Sequence, residues 1–391
     1  MGSHSHAGPT RLPMTTLAWV VLAPLALVTL VGLVLLWPSA IESPAGPSAA
    51  QELNGVVLAV EPEDCPADAP AGAPAPTVCG TVTVELDEAE AGSSEVEVPI
   101  PDGPGAPEVA EGDAVVVTVV DGPDGALYGI VDQQRSTQLW VLLAAFSLAL
   151  IAFGRWRGVS ALVGLAVTFV ILLVFMVPAI IGGEPPALVA LVAASAITLV
   201  VLYLTHGVSL TTTVAVIGTM AALALTGVMS EVTVQALHLS GVTDDISMAV
   251  VDRYGVDVRG LLVASIIIGS VGVLDDVTVT QSVTVGELAR ANPGYRFAEL
   301  YRAGSRVGRS HIASVVNTIV LAYAGSSLPL IVLVVADNGS LSGIASTQLV
   351  AQEIVRSAVA TLGLIAAVPL TTGLASLAAR TAPEEIATRA S

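Results

Sequence analysis

Eight long apolar runs constrain this chain more than any other feature. They fall at 17–37, 139–153, 159–177, 187–204, 208–228, 260–274, 313–335 and 351–375. A helix needs about 20 apolar residues to cross the hydrocarbon core of a bilayer. Composition agrees: 54% of residues are hydrophobic, only 12% are charged, and mean hydropathy is +0.81. A soluble chain carries about 25% charged residues. Half that fraction cannot cover a soluble globule, so the chain reads as an α-helical polytopic membrane protein with about eight transmembrane helices.

The charge is concentrated in one place. Residues 39–137 hold 19 of the 33 acidic residues and only Arg135 of the 14 basic ones. This stretch repels phosphates, which argues against nucleic acid as a partner. Its short alternating runs, Leu53–Val60, Val78–Leu86, Glu95–Ile100, Asp113–Val120 and Ala126–Val131, have the period of half-buried strands. Asp121-Gly122-Pro123-Asp124-Gly125 is turn chemistry between the last two. Five strands in this length suggest a small all-β barrel, OB-like or SH3-like. Pro/Ala/Gly/Ser-rich stretches at 39–50 and 66–76 read as linker and loop. Cys65 and Cys79 suit a disulfide in an extracytoplasmic domain, with two free thiols as the alternative.

The domains expected are a cytoplasmic tail and uncleaved first anchor at 1–38, the acidic β-domain at 39–137, a helical bundle at 138–378, and a cytoplasmic tail at 379–391. A signal peptide would need a shorter apolar core than the first run offers. The arginines set the orientation. With the N-terminus inside, Arg11, Arg155, Arg157, Arg290, Arg296, Arg302, Arg306, Arg309, Arg380 and Arg389 face the cytoplasm, against four elsewhere. That asymmetry places both termini inside. Two long connections, 229–259 outside and 275–312 inside, each have room for an interfacial or re-entrant helix. His4 and His6 read as tail.

Polar residues at membrane depth are the candidates for chemistry. The densest set follows the sixth run: Asp275, Asp276, Thr278, Thr280, Gln281 and Ser282. Carboxylate, amide and hydroxyl oxygens suit a hard cation or a proton relay. The competing reading is that Asp275 or Asp276 caps a new helix beginning at Val277. Both stay open. Ser265, Gly269 and Gly272 form a small-residue stripe for helix packing. A second set, His311, Ser314, Asn317 and Thr318, opens the seventh run, and 311, 314 and 318 share a helical face. Its bland reading is interhelical hydrogen bonding. Farther along, Tyr323 to Pro329 reads as a helix break. Arg302, Arg306 and Arg309 share a face, for anionic lipid or, more sharply, an anionic ligand. His206 reads as structural and Asp337-Asn338-Gly339 as a turn. Glu231, His238, Asp244, Asp245 and Asp252 match no metal-binding spacing, and the metal question is left unanswered. A nucleophile elbow, a P-loop and an HExxH motif are missing, which argues against a hydrolase.

Several strings together resemble the YibE/F-like family of bacterial multi-pass membrane proteins. They are Arg259-Gly260-Leu261-Leu262, GVLDDVTVTQ at 272–281, Glu287-Leu288, Gly308-Arg309-Ser310-His311-Ile312, Asn317 to Gly325, and Leu328-Pro329-Leu330. The resemblance spans about 140–375 and implies a multi-pass protein of the bacterial inner membrane. It carries over no activity. Three functional readings follow. The first is a transporter or permease coupled to a proton or cation, without an organic cofactor, whose polar path joins the Asp pair, Thr280 and Gln281 to His311, Asn317 and Thr318. The second is a scaffold or sensor whose acidic domain binds an envelope protein. The third is an intramembrane enzyme using two carboxylates as acid and base. Lipid is the expected surrounding, and assembly into a homo-oligomer is kept open.

Overall fold

In a computed structural model, residues 14–38, 51–65, 77–87, 95–122, 125–242, 245–336 and 347–379 are described. Arg11, Arg380, Arg389, His4, His6, Asp244, the turn at 337–339, the two linkers and the centre of the 122–125 turn lie outside them. The chain divides into two compact units, 43–152 and 1–42 with 153–391.

The first unit is built on an antiparallel sheet. Its strands are β1 (Gln51–Glu63), β2 (Cys79–Leu86), β3 (Glu95–Pro99), β4 (Ala114–Gly122) and β5 (Gly125–Gln133), in the order β3-β2-β1-β4-β5. Alternate residues point inward, so Leu53, Val57, Val82, Val84, Val98, Val115 and Val117 form one buried layer. Val57 lies opposite Val84, and Leu53 opposite Val117. Irregularities at Val57/Ala59 and Val116/Val117 bend β1 and β4, as bulges do. The edge strands β3 and β5 approach each other, which curls the sheet into a half-barrel. Cys65 and Cys79 are joined by a disulfide, with 5.2 Å between their Cα atoms. Helix α2 (Ser136–Gly154) follows and buries none of its residues.

The second unit is helical: α1 (Met14–Leu35), α3 (Trp156–Ile181), α4 (Pro186–His206), α5 (Leu210–Ala236), α6 (Asp245–Tyr254), α7 (Val258–Ala291), α8 (Phe297–Ser326), α9 (Leu328–Ala336) and α10 (Gln348–Ala379). Among the described residues, six helices are long and apolar enough to cross a membrane: α2, α3, α4, α5, α7 and α10. Local chemistry sets their ends. Ser209 caps α5 by accepting from the Thr212 amide at 3.1 Å. Asp257 caps α7 by accepting from the Arg259 amide at 3.1 Å. In α3 the stretch Ile171–Met176 widens to a π-turn, with the Val177 amide reaching back to Leu172. Pro178 follows immediately and has no amide to offer the regular ladder.

Helix α7 is the axis, packed against α4, α5, α8 and α10. Close approach comes from glycines. A Cβ on Gly218 of α5 would strike the Thr371 hydroxyl of α10, and one on Gly363 of α10 would strike the Thr226 hydroxyl of α5. Each helix offers a glycine to the other's threonine, the small-residue packing expected in membranes.

The structure corrects two sequence expectations. The sixth apolar run does not end at 274: α7 continues unbroken to Ala291, and the connection to α8 is only 292–296. The run ends in sequence, but its polar residues find partners on neighbouring helices, so the helix goes on. Similarly, the seventh run is the later part of α8, which starts at Phe297, is interrupted at Ser327 and resumes as α9. Glu299 starts α8 by accepting from the Arg296 amide at 2.7 Å.

Candidate functional site

A column of polar side chains runs through the bundle along α7. Thr198 of α4 and Thr219 of α5 are both fully buried. Thr198 donates its hydroxyl to the Asp275 carboxylate at 3.2 Å, and the Thr219 hydroxyl lies beside the same carboxylate. The Thr219 and Thr278 hydroxyls are 2.6 Å apart, and Thr278 also donates to the Asp275 backbone carbonyl at 3.1 Å. Asp275 is therefore a mid-helix residue held by hydroxyls from two other helices. The capping alternative fails because there is no helix start here.

One turn on, Gln281 ties three helices. Its amide donates to the Gly304 carbonyl of α8 at 2.9 Å and to the Thr372 hydroxyl of α10 at 2.7 Å. Gly308 makes room for it, since a Cβ there would lie 2.8 Å from Gln281 Oε1, while one on Gly304 would strike Val285 of α7. Ser282 then donates to the Thr211 carbonyl at 2.8 Å. Asp275 to Ser282 is seven residues, about 10 Å along the helix axis.

A cavity lies near each end of this column. One, of about 720 Å³, is lined by Thr211, Ser282, Arg290, Asn292 and Tyr295. The other, of about 330 Å³, lies between α7, α8 and α10 and is lined by Ser270, Leu274, Tyr323, Ser326 and Ala360. Leu274 borders the smaller cavity and Ser282 the larger, so the residues between them separate the two.

The expected site is only partly assembled. Asp275, Thr278 and Gln281 face the interior. Asp276 and Thr280 share the exposed side of α7, so the two carboxylates point to different sides of the helix. Asn317 and Thr318 are exposed on α8, and Thr318 donates to the Ser314 carbonyl of its own helix at 3.2 Å. His311 is half-buried, and its Nε2 is buried without a hydrogen-bond partner among the described residues. None of these three hydrogen-bonds Asp275 or Asp276. Arg302, Arg306 and Arg309 are exposed. Of the small stripe on α7, Gly269 does take a close neighbour: a Cβ there would lie 2.8 Å from the Tyr323 hydroxyl, while Gly272 meets nothing. Among the described residues, no group of three His, Cys, Asp or Glu side chains could hold a metal.

Sequence reasoning missed Thr198, Thr219 and Thr372, which sit inside apolar runs. It also missed a charged pair on α10, Glu353 and Arg356, 2.6 Å apart. The available signal was threonine at the centre of Ala/Val/Leu helices, where a hydroxyl needs a partner.

No curated protein and no solved structure matches the chain. The family model for YibE/F-like proteins matches residues 142–381, which takes in the whole polar column. The chain therefore belongs to the YibE/F-like family of multi-pass membrane proteins.

Proposed function

We propose that the chain is a transporter or permease, with proton or cation movement running through Asp275. The observation that carries this reading is a carboxylate inside a membrane bundle, held by threonines from two other helices between two cavities. A carboxylate in such a place is costly and marks ion or proton pathways. Its oxygens, with three hydroxyls around it, suit a proton or a hard cation and no soft metal. Thr219 and Thr278 extend the path toward Ser282, and Gln281 closes it against α8 and α10. Conduction would need the helices around Gln281 to part.

In this reading α1 and α8 are two further spans, making eight, with both termini cytoplasmic. Residues 39–137 form an OB-like or SH3-like barrel outside, and 138–378 form the bundle. The larger cavity, beside Arg290, then opens to the cytoplasm. Flux of protons, alkali cations and small solutes into proteoliposomes tests the proposal. Wild type should conduct at least one of them, and Asp275→Asn should abolish it. No flux across the panel would defeat the reading.

A scaffold role for the acidic unit is favoured by one observation: Val120, Leu127 and Val131 are 50–64% exposed on β4 and β5. An envelope partner would cover them. If a chain lacking 45–130 still rescues a null strain, that role is excluded.

A further inference from the structure

The oxygens around Asp275 restrict what it can bind. Thr198, Thr219 and Thr278 are fully buried, and neither cavity described above is lined by them or by Asp275. The Thr219 hydroxyl, beside the carboxylate, is 2.6 Å from the Thr278 hydroxyl. That is a hydrogen-bond distance, with no gap left between the two oxygens for an ion. Ca²⁺ takes about six to eight oxygens and Mg²⁺ about six. Here the side chains offer one carboxylate and three hydroxyls, two of which already bond each other. A proton needs one oxygen and no void. Other titratable groups lie away from the carboxylate. On α4, Tyr203 and His206 are five and eight residues beyond Thr198, and on α5 Glu231 is twelve beyond Thr219. Helices α8 and α10 carry His311, Tyr323, Glu353 and Arg356, but they meet α7 through Gln281. Gln281 is six residues from Asp275 and so about 120° round the helix. Among the described residues, no cationic side chain pairs with Asp275.

Counting hydroxyl protons shows what the threonines can do. Each hydroxyl has one proton to give and lone pairs to accept with. Thr198 gives its proton to the carboxylate. Thr219 and Thr278 have two consistent arrangements. In the first, Thr278 donates to the Asp275 backbone carbonyl at 3.1 Å and Thr219 donates to Thr278. Thr219 then turns a lone pair toward the carboxyl, which suits Asp275 as a protonated donor. In the second, Thr278 donates to Thr219, and Thr219 turns its proton toward an ionised carboxylate. We infer that Asp275 takes up a proton and not a metal cation, and that Thr219 and Thr278 pass this proton on by reversing their hydrogen bonds. The step balances. The carboxyl O–H breaks and its proton joins the Thr219 oxygen; the Thr219 proton joins Thr278; the Thr278 proton leaves to water admitted when the bundle opens. One proton enters, one leaves, and the first arrangement becomes the second. Rotation of the two hydroxyls and a new proton on Asp275 restore the first. This names the ion for the transport reading above and rests on it only for the idea that the ion crosses.

Infrared titration of the purified full-length chain in nanodiscs tests the site without any flux. A protonated carboxyl has its own C=O stretch. Wild type and Asp276→Asn should show a buried carboxyl band that Asp275→Asn lacks. The pH midpoint of that band should be the same in sodium, potassium, calcium and choline chloride at equal ionic strength, because only a bound metal cation competes with the proton. In proteoliposomes, Thr219→Val and Thr278→Val keep the shape of the side chain and remove the hydroxyl. Each should keep the band and lose at least tenfold of the proton flux, and Thr278→Ser should restore it. Should the valine variants fail to run as a single species on size exclusion, the midpoint series decides. A midpoint that falls as a metal cation rises, no band that Asp275→Asn removes, or wild-type proton flux in both valine variants overturns the inference. A cation-independent band without any flux would uphold the proton site and count only against conduction. Metal-cation flux with a cation-dependent midpoint would do the reverse.

Discussion

Thr226 and Gly363 show how single residues set the bundle. The Thr226 hydroxyl occupies the space that a Cβ on Gly363 would need, and itself donates to the Ala222 carbonyl at 2.8 Å. Gly363→Ala should push α10 off α5 and cost about 1–3 kcal/mol, read as a lower thermal midpoint in detergent. Leu362→Ala, at an exposed neighbour, serves as the control. In the acidic unit, Asp102 accepts from the Thr77 hydroxyl at 2.6 Å and from the Thr77 amide at 3.1 Å. Chiefly the hydroxyl bond holds its carboxyl below the ordinary 3.8. A carboxyl lowered by folding adds stability above its unfolded value and loses it as pH falls through the folded one. Thr77→Val should therefore weaken hydrogen-exchange protection in β2 at neutral pH. The gap to wild type should close as pH drops below about 3.8; a gap that persists in acid would contradict this.

Helix α7 ties the polar column to its neighbours. Its length was not legible in the sequence, because Asp275-Asp276 followed by hydroxyl residues reads as the end of an apolar span. What carries the helix through is tertiary: Thr198, Thr219, Thr211, Thr372 and the Gly304 carbonyl are all distant in sequence. The β-unit was legible strand by strand, because period-two alternation is local and Val82, Val84, Val96 and Val98 display it directly. The inward half of the candidate site was legible through Asp275, Thr278 and Gln281. The outward half was not, since 3.6-residue spacing puts His311, Ser314 and Thr318 on a common face without saying where that face points. Thr280 gives a direct test of continuity. It is exposed and mid-helix, so Thr280→Pro should cost about 3 kcal/mol or more by breaking the ladder. Thr280→Ala should be close to neutral. A harmless proline there would mean that 275–291 is not a continuous helix.

For the whole molecule, the family assignment and the six long apolar helices establish a multi-pass membrane protein. The proposed orientation makes a further prediction. Cys65 and Cys79 are tied together, so an impermeant maleimide reports only an introduced thiol. Asn292→Cys, between α7 and α8, should label only from the cytoplasmic side, and Asp252→Cys on α6 only from outside. The reverse pattern would invert the topology and place the larger cavity outside.

In the proposed transporter the interior Asp275 conducts and its exposed neighbour Asp276 does not. Flux in proteoliposomes of wild type, Asp275→Asn and Asp276→Asn, compared side by side, tests it most directly. Asp275→Asn should abolish flux, and Asp276→Asn should keep near wild-type flux. Equal loss in both variants, or loss in Asp276→Asn alone, would contradict it.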